Sequence, residues 1–185
     1  MKAKVNKVSI EVIQGNQLAL TTDAIVIPAN TTLDLSDEMI ALVGESVQHE
    51  CRQIGWCDVG SAVITTAGNL QNATKLIHTV GPHWGEGAER GKLANATWRC
   101  LELAEENQIA SLSFPAISVG TLGYPVENCA RTMLEKIIDF TFEPLKSVRH
   151  VTLCFSEKVT FDIFEEEFNR QLENLKESGE GKVRV

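Results

Sequence analysis

Phe114-Pro115-Ala116-Ile117-Ser118-Val119-Gly120-Thr121-Leu122-Gly123-Tyr124-Pro125 is the stretch from which the fold can be read. Leu112 to Phe114 is a short apolar run of the kind that forms a buried strand, and it breaks at Pro115. A turn containing Ser118, Gly120 and Gly123 follows. Pro125 then opens an amphipathic helix with Val126, Ala130, Met133, Leu134, Ile137 and Ile138 at helical spacing. Proline suits that first helical position, where its missing N–H would have had no partner. A glycine-bearing loop between a strand end and a helix start leaves backbone N–H groups free and lets a ligand approach closely, so it can hold a diphosphate without lysines. A tight strand-to-helix connection is the plainer reading, and this stretch alone does not separate the two.

Outward from this stretch, strands alternate with helices. Val8 to Ile13 alternates apolar and polar as a half-exposed strand does, and Gln14-Gly15-Asn16 is turn chemistry. Ala24-Ile25-Val26-Ile27 is a continuous apolar run, predicted as a strand buried on both faces and ended by Pro28-Ala29-Asn30. A polar loop without glycine runs from Thr31 to Glu38, and a helix is expected from Met39 to about Cys51, with Gly44 as its weak point. Ser61–Thr66 and Lys75–Val80 are predicted strands, Leu93–Asn107 a helix, His150–Phe155 the last strand and Val159 to about Lys176 the last helix. The order β β α β β α β α β α predicts a three-layer α/β/α sandwich on a central mixed, mostly parallel sheet of about six strands. A single domain is expected over residues 1–177, with a flexible tail at 178–185. Ligands of such sheets bind beyond the carboxyl ends of the strands. Here those ends lead into Pro28–Asn30, Pro115–Tyr124 and Phe155–Ser156.

Composition excludes several classes. The chain has 185 residues, 43% of them hydrophobic, and a net charge of −8, which argues against a protein that tracks nucleic-acid phosphates. The five cysteines (Cys51, Cys57, Cys100, Cys129 and Cys154) are odd in number and lack C-x-x-C spacing. Reduced thiols in a cytoplasmic protein are therefore expected. The polar N-terminus and the absence of a long apolar run argue against secretion and membrane insertion. His49, His78, His83 and His150 are scattered without metal-ligand spacing, and neither a metal nor a cofactor is expected. The glycines between Gly85 and Lys92 do not have P-loop spacing, no serine sits in G-x-S-x-G, and the three tryptophans are dispersed.

Four segments in order resemble the macrodomain family, the ADP-ribose-binding α/β/α module. They are Gln14-Gly15-Asn16, Asp23 to Asn30, Ile77-His78-Thr79-Val80-Gly81-Pro82-His83-Trp84, and Phe114 to Pro125. The likeness extends from about Val8 to Phe168. It implies a site in which Ser118, Val119, Gly120, Thr121, Leu122, Gly123 and Tyr124 wrap a diphosphate with backbone amides. By the same likeness Ala29 is a ligand-binding residue, Asn30 faces the distal ribose, and Asn16 and Phe155 lie at the adenine. The implied partner is ADP-ribose, or a protein carrying it.

The departures from the family pattern have chemical consequences. Asn16 replaces an acidic residue, so the bond it can accept from the adenine amine is no longer charge-assisted, a loss of about 1 kcal/mol. Leu122 replaces an aromatic residue and Val119 a threonine. Thr31 to Glu38 stands where many members carry a glycine-rich loop, and Asp34, Asp37 and Glu38 would repel a diphosphate there. Asn30 is the catalytic feature the resemblance preserves; Asp37 or Glu38 could act as a base, although solvated loop charges are the simpler reading. Three functions follow: binding of ADP-ribose without turnover, which is favoured; hydrolysis that removes ADP-ribose from protein or deacetylates O-acetyl-ADP-ribose; and a scaffold whose pocket has drifted from nucleotides.

Overall fold

A computed structural model describes residues 1–185. Eight strands form one mixed sheet: β1 Lys2–Val5, β2 Val8–Gln14, β3 Ala24–Pro28, β4 Ser61–Thr66, β5 Lys75–Val80, β6 Ser111–Phe114, β7 His150–Phe155 and β8 Val183–Arg184. Their order across the sheet is β4-β5-β3-β6-β7-β2-β1-β8. The five central strands, β5-β3-β6-β7-β2, are mutually parallel, and antiparallel strands flank them on both sides. Their carboxyl ends therefore share one rim, where Gln14 pairs with Phe155, and Pro28 with Thr79.

The expected sandwich is present, and the six predicted strands form a continuous block from the β4 edge to β2. The two additional strands lie at one edge. The short β1, with its Lys-Ala-Lys-Val pattern, pairs with β2 through the turn at Asn6. The segment expected to be a flexible tail runs back along β1, where Val183 and Arg184 pair with Val5 and Lys4, and Asn6 bonds the Lys182 backbone in both directions. β1 alternates over only four residues, with Ala3 and Val5 turned into the larger core, and the two-residue β8 is held at the edge by backbone pairing.

Helices α1 Asp37–Val43 and α2 Glu45–Ile54 cover one face of the sheet, and α3 Glu89–Glu106, α4 Val126–Phe140 and α5 Lys158–Ser178 the other. β3 shows why both faces must be covered. Ala24 and Val26 enter the larger core with Phe114, Phe164 and Phe168, whereas Ile25 and Ile27 enter a smaller core with Val43, Val47 and Leu76. The period-2 alternation of a strand thus splits one apolar run between two cores. The helix expected from Met39 to Cys51 is divided at Gly44, which adopts φ 97°, a conformation costly for residues with a Cβ. A Cβ there would also lie 2.8 Å from Asn69 Nδ2. The start of α1 is fixed by Ser36, whose hydroxyl accepts from Met39 N–H at 3.1 Å, and Asp37 and Glu38 occupy its first turn. Carboxylates there interact favourably with the helix dipole.

His78 on β5 is fully buried. Its Nε2 lies 2.8 Å from Thr65 Oγ1 and 4.0 Å from Cys51 Sγ, and its Nδ1 has no partner. Burial lowers its pKa from 6.5 to about 4, against a smaller opposing effect of Glu50. Below pH 6.5 the unfolded chain takes up a proton that the folded chain refuses until about pH 4. Folding stability should therefore fall across that interval as the pH is lowered, by about 3 kcal/mol from this group. Urea unfolding of wild type and His78→Gln between these pH values should give diverging curves, with the wild type losing more. NMR titration of the imidazole should show it neutral at pH 5.5; a charged ring there would refute the account.

Candidate functional site

The rim of the parallel strands carries an open cleft of about 470 Å³. Its walls come from the β2 exit (Gly15, Asn16, Gln17, Leu18), the β6 exit (Pro115, Ala116, Val119, Gly120), the β7 exit (Cys154, Phe155, Ser156) and the start of α5 (Glu157, Thr160). Four of the residues singled out in the sequence, Asn16, Val119, Gly120 and Phe155, therefore meet in one cavity. Phe155 is anchored in the core by Phe164, their ring centroids 4.2 Å apart. Asn16 caps the short 3-10 turn Gln17–Ala19, its Oδ1 accepting from Leu18 N–H at 3.1 Å. Gln17 ties that turn to the sheet, its Nε2 donating to Val26 O at 2.9 Å and Ser113 O at 3.1 Å.

The 118–124 loop is compact and strained. Ser118 is a non-glycine residue at φ 66° with a buried hydroxyl that has no partner. Gly120 and Gly123 adopt φ 93° and 74°. Internal bonds from Gly123 N–H to Gly120 O and from Tyr124 N–H to Ser118 O, each 3.0 Å, close the loop on itself. A third, from Trp84 N–H to Leu122 O at 2.9 Å, straps it to the β5 exit. The N–H groups of Gly120, Thr121 and Leu122 make no hydrogen bond within the protein. A Cβ on Gly120 would meet nothing within 4 Å, so the space over this residue is open. Tyr124 instead turns inward, 3% exposed, with its ring edge-on to Trp84 at 5.1 Å.

Gly81 explains how the loop comes down so closely on β5. A Cβ at Gly81 would lie 2.1 Å from Ser118 Oγ and 2.7 Å from Ile117 Cγ2. Only glycine admits this approach.

Asn30, at the exit of β3, lies outside the lining of the cleft and organises the segment after it. Its Oδ1 accepts from Asp34 N–H at 3.0 Å and lies 3.1 Å from Thr32 Oγ1. Thr32 Oγ1 is also 2.7 Å from Asp34 Oδ2, so Asn30, Thr32 and Asp34 form one exposed polar cluster. The segment keeps Asp34, Asp37 and Glu38 exposed but turns Leu33 inward. Leu33, at φ 59°, is 1% exposed in the smaller core. Buried Gln48 clamps both sides of Leu33's turn, donating to Leu33 O at 3.2 Å and accepting from Leu35 N–H at 2.7 Å. Asp37 and Glu38 belong to α1, while Asp34 is the carboxylate beside Asn30. Ala29 donates its N–H to Thr79 O at 2.8 Å and continues the β3–β5 pairing.

Sequence reasoning misses Gln17, Cys154, Glu157 and Thr160, because their place in the cleft depends on which strands are neighbours. Cys154 is buried, which raises its pKa and keeps it a thiol. No group of His, Cys, Asp and Glu side chains is arranged to hold a metal, and no helix is long and apolar enough to cross a membrane.

Residues 28–133 match the family model of the Macro domain. An O-acetyl-ADP-ribose deacetylase of Salmonella typhimurium is 37% identical over 159 residues, covering 80% of this chain and 88% of that protein. The Oceanobacillus iheyensis macrodomain solved with ADP superposes with a TM-score of 0.84 at 28% identity, covering 94% of this chain and 97% of that one. A variant of the same macrodomain solved with ADPR gives a TM-score of 0.86 at 28% identity, with 94% and 98% coverage.

The Gly81–Ser118 contact makes a thermodynamic prediction. Gly81→Ala should destabilise the fold by about 1–3 kcal/mol through overpacking. Ser118→Gly removes the struck hydroxyl and relieves the positive φ, so the double variant should lose less than the sum of the single changes. Urea denaturation of the four proteins measures the coupling, and strictly additive losses would place the strain elsewhere.

Proposed function

This chain belongs to the macrodomain family, and from that premise we propose that its rim cleft binds ADP-ribose, free or attached to protein. The observation that carries the reading is the set of main-chain N–H groups at Gly120, Thr121 and Leu122 without partners in the protein, beside open space over Gly120. Such groups bind a phosphoryl oxygen without a formal positive charge. In this reading the adenine lies between Asn16 and Phe155, with Asn16 Oδ1 accepting from the exocyclic amine while it also caps the 3-10 turn. The diphosphate lies on Val119 to Leu122, and the distal ribose extends toward Asn30. Ser118 and Tyr124 support the loop from below rather than touching the ligand. Two similar structures were solved with ADP and ADPR, which supports the same ligand class.

A second reading, deacetylation of O-acetyl-ADP-ribose to ADP-ribose and acetate, is supported by the Salmonella relative's name and by the Asn30–Thr32–Asp34 cluster. The Asp34 carboxylate would take a proton from the attacking water. Asn30, its Oδ1 committed to Thr32 and Asp34, would offer its Nδ2 protons to the ribose or the water.

ADP-ribose at a hundred times its dissociation constant should stabilise the protein by roughly 2.7 kcal/mol, read as a rise in melting temperature. Gly120→Glu should abolish that rise, because it places a carboxylate in the cradle. An unchanged rise in a folded Gly120→Glu protein would move the site elsewhere.

For deacetylation, Asp34→Asn should lower turnover by about a hundredfold or more while ADP-ribose affinity changes little. Equal acetate release by wild type and variant would remove Asp34 from the chemistry.

A further inference from the structure

A second cavity of about 370 Å³ lies behind the 118–124 loop, between the N-terminal turns of α3 and α4. Trp84 and Tyr124 form one wall, and Arg90, Arg131 and Asn128 line the remainder with Glu89. It is tied directly to the loop proposed to hold the diphosphate. Trp84 N–H donates to Leu122 O, and the Trp84 Cβ lies 3.8 Å from the position a Cβ on Gly123 would take. Trp84 is 47% exposed, whereas the Tyr124 ring beneath it is buried.

The charges around this cavity are unusual for a chain of net charge −8. Arg131 has no carboxylate within 4.0 Å, and the nearby Glu167 is already paired with Arg170. Arg90 reaches only Glu135, at 3.4 Å, with both side chains largely in solvent. Such a pair is weak and exchangeable. The one carboxylate in the lining, Glu89, is turned to the backbone. Its own N–H and those of Gly85 and Gly87 hold its pKa below the usual carboxylate range. The opposite bank of the rim, by contrast, carries Asp34, Asp37 and Glu38, all exposed.

We propose that the Trp84–Arg90–Arg131 pocket is a subsite for carboxylate side chains flanking the modified residue of an ADP-ribosylated protein, so that the domain prefers acidic modification sites. The inference rests on the reading of the cleft above. The start of α1 carries exposed carboxylates that would repel an acidic peptide, whereas Leu122 is bonded to Trp84, which lines the pocket together with the two arginines. The protein's overall negative charge disfavours a free acidic peptide in the pocket. A peptide tethered through ADP-ribose reaches it intramolecularly, where a high effective concentration compensates for weak individual contacts. The subsite therefore discriminates among ADP-ribosylated partners without recruiting unmodified acidic proteins.

The test uses ADP-ribose alone and two peptides carrying it through a non-hydrolysable linkage, one flanked by Asp and Glu and the other by Asn and Gln. Affinities are measured by calorimetry for wild type and for the Arg90→Gln/Arg131→Gln double variant. At about 50 mM salt the acidic peptide should bind roughly fivefold more tightly than the neutral one. That preference should vanish in the double variant and at about 500 mM salt. ADP-ribose itself should bind both proteins equally. Equal affinities of wild type for the two peptides, or a preference that survives in the double variant, would overturn this proposal and leave the cleft reading intact. Failure of ADP-ribose and both peptides to bind would defeat the cleft reading, and this inference with it.

Discussion

An amide N–H without an acceptor is tolerable only where water or an anion can reach it, and the architecture of this protein follows from holding three such groups in one turn. Five parallel strands bring their carboxyl ends to one rim. The loop leaving β6 must then turn sharply enough that Gly120, Thr121 and Leu122 cannot bond to their own neighbours. The turn is maintained by contacts below it: Ser118 pressed on Gly81, Tyr124 buried against Trp84, and Leu122 O held by Trp84 N–H. A relaxed loop would satisfy its own amides and have nothing to offer an anion. In the proposed site the strain of the loop is what leaves these amides free, and the packing beneath the loop maintains it.

Anion recognition by main-chain dipoles also fits the charge of the molecule. A cluster of lysines would attract polyanions of every kind, nucleic acids included, and its strength would depend steeply on salt. Three oriented amides act only at contact distance and leave the long-range field negative. Discrimination then depends on shape and on hydrogen-bond geometry. In the proposed site it would fall to the walls of the cleft, where the buried Phe155 and Asn16, its carbonyl already positioned by its role as a cap, both stand.

Much of this was legible in the sequence. The continuous apolar run Ala24–Ile27 required a strand covered on both faces, and its residues do divide between two cores. Phe114–Pro125 announced a strand, a glycine turn and a helix start, and these appear in that order. Gly81 could be seen ending a strand, but the reason for it, Ser118 Oγ lying where a Cβ would go, is a contact across thirty-odd residues of chain that no local pattern carries. β8 was invisible for a related reason, since a two-residue edge strand held by backbone bonds needs no apolar periodicity, and the alternation of β1 is only four residues long. Within the cleft, Gln17, Glu157 and Thr160 come from elements joined only by the sheet order. The side chains of Ser118 and Tyr124 are buried beneath the loop, a placement no local pattern announces.

The segment after Asn30 shows why a missing glycine loop need not mean a missing site. A glycine-rich loop can close on a diphosphate, but it pays conformational entropy to do so, about 1–2 kcal/mol for each residue it orders. In this chain Leu33 is sunk into the smaller core and Gln48 clamps its backbone on both sides, so the segment is ordered before any ligand arrives. Forgoing an amide-to-phosphate bond sacrifices roughly 1.5–3 kcal/mol. One or two such losses are comparable to the entropy that a preformed loop of a few residues does not have to give up. What changes is the chemistry presented at the rim: in place of mobile backbone, the chain holds Asn30, Thr32 and Asp34 in a hydrogen-bonded cluster. A ligand meeting that cluster encounters a fixed amide and a fixed carboxylate. The two parts of the rim thus differ in kind, with unpartnered main-chain donors after β6 and side-chain groups after β3.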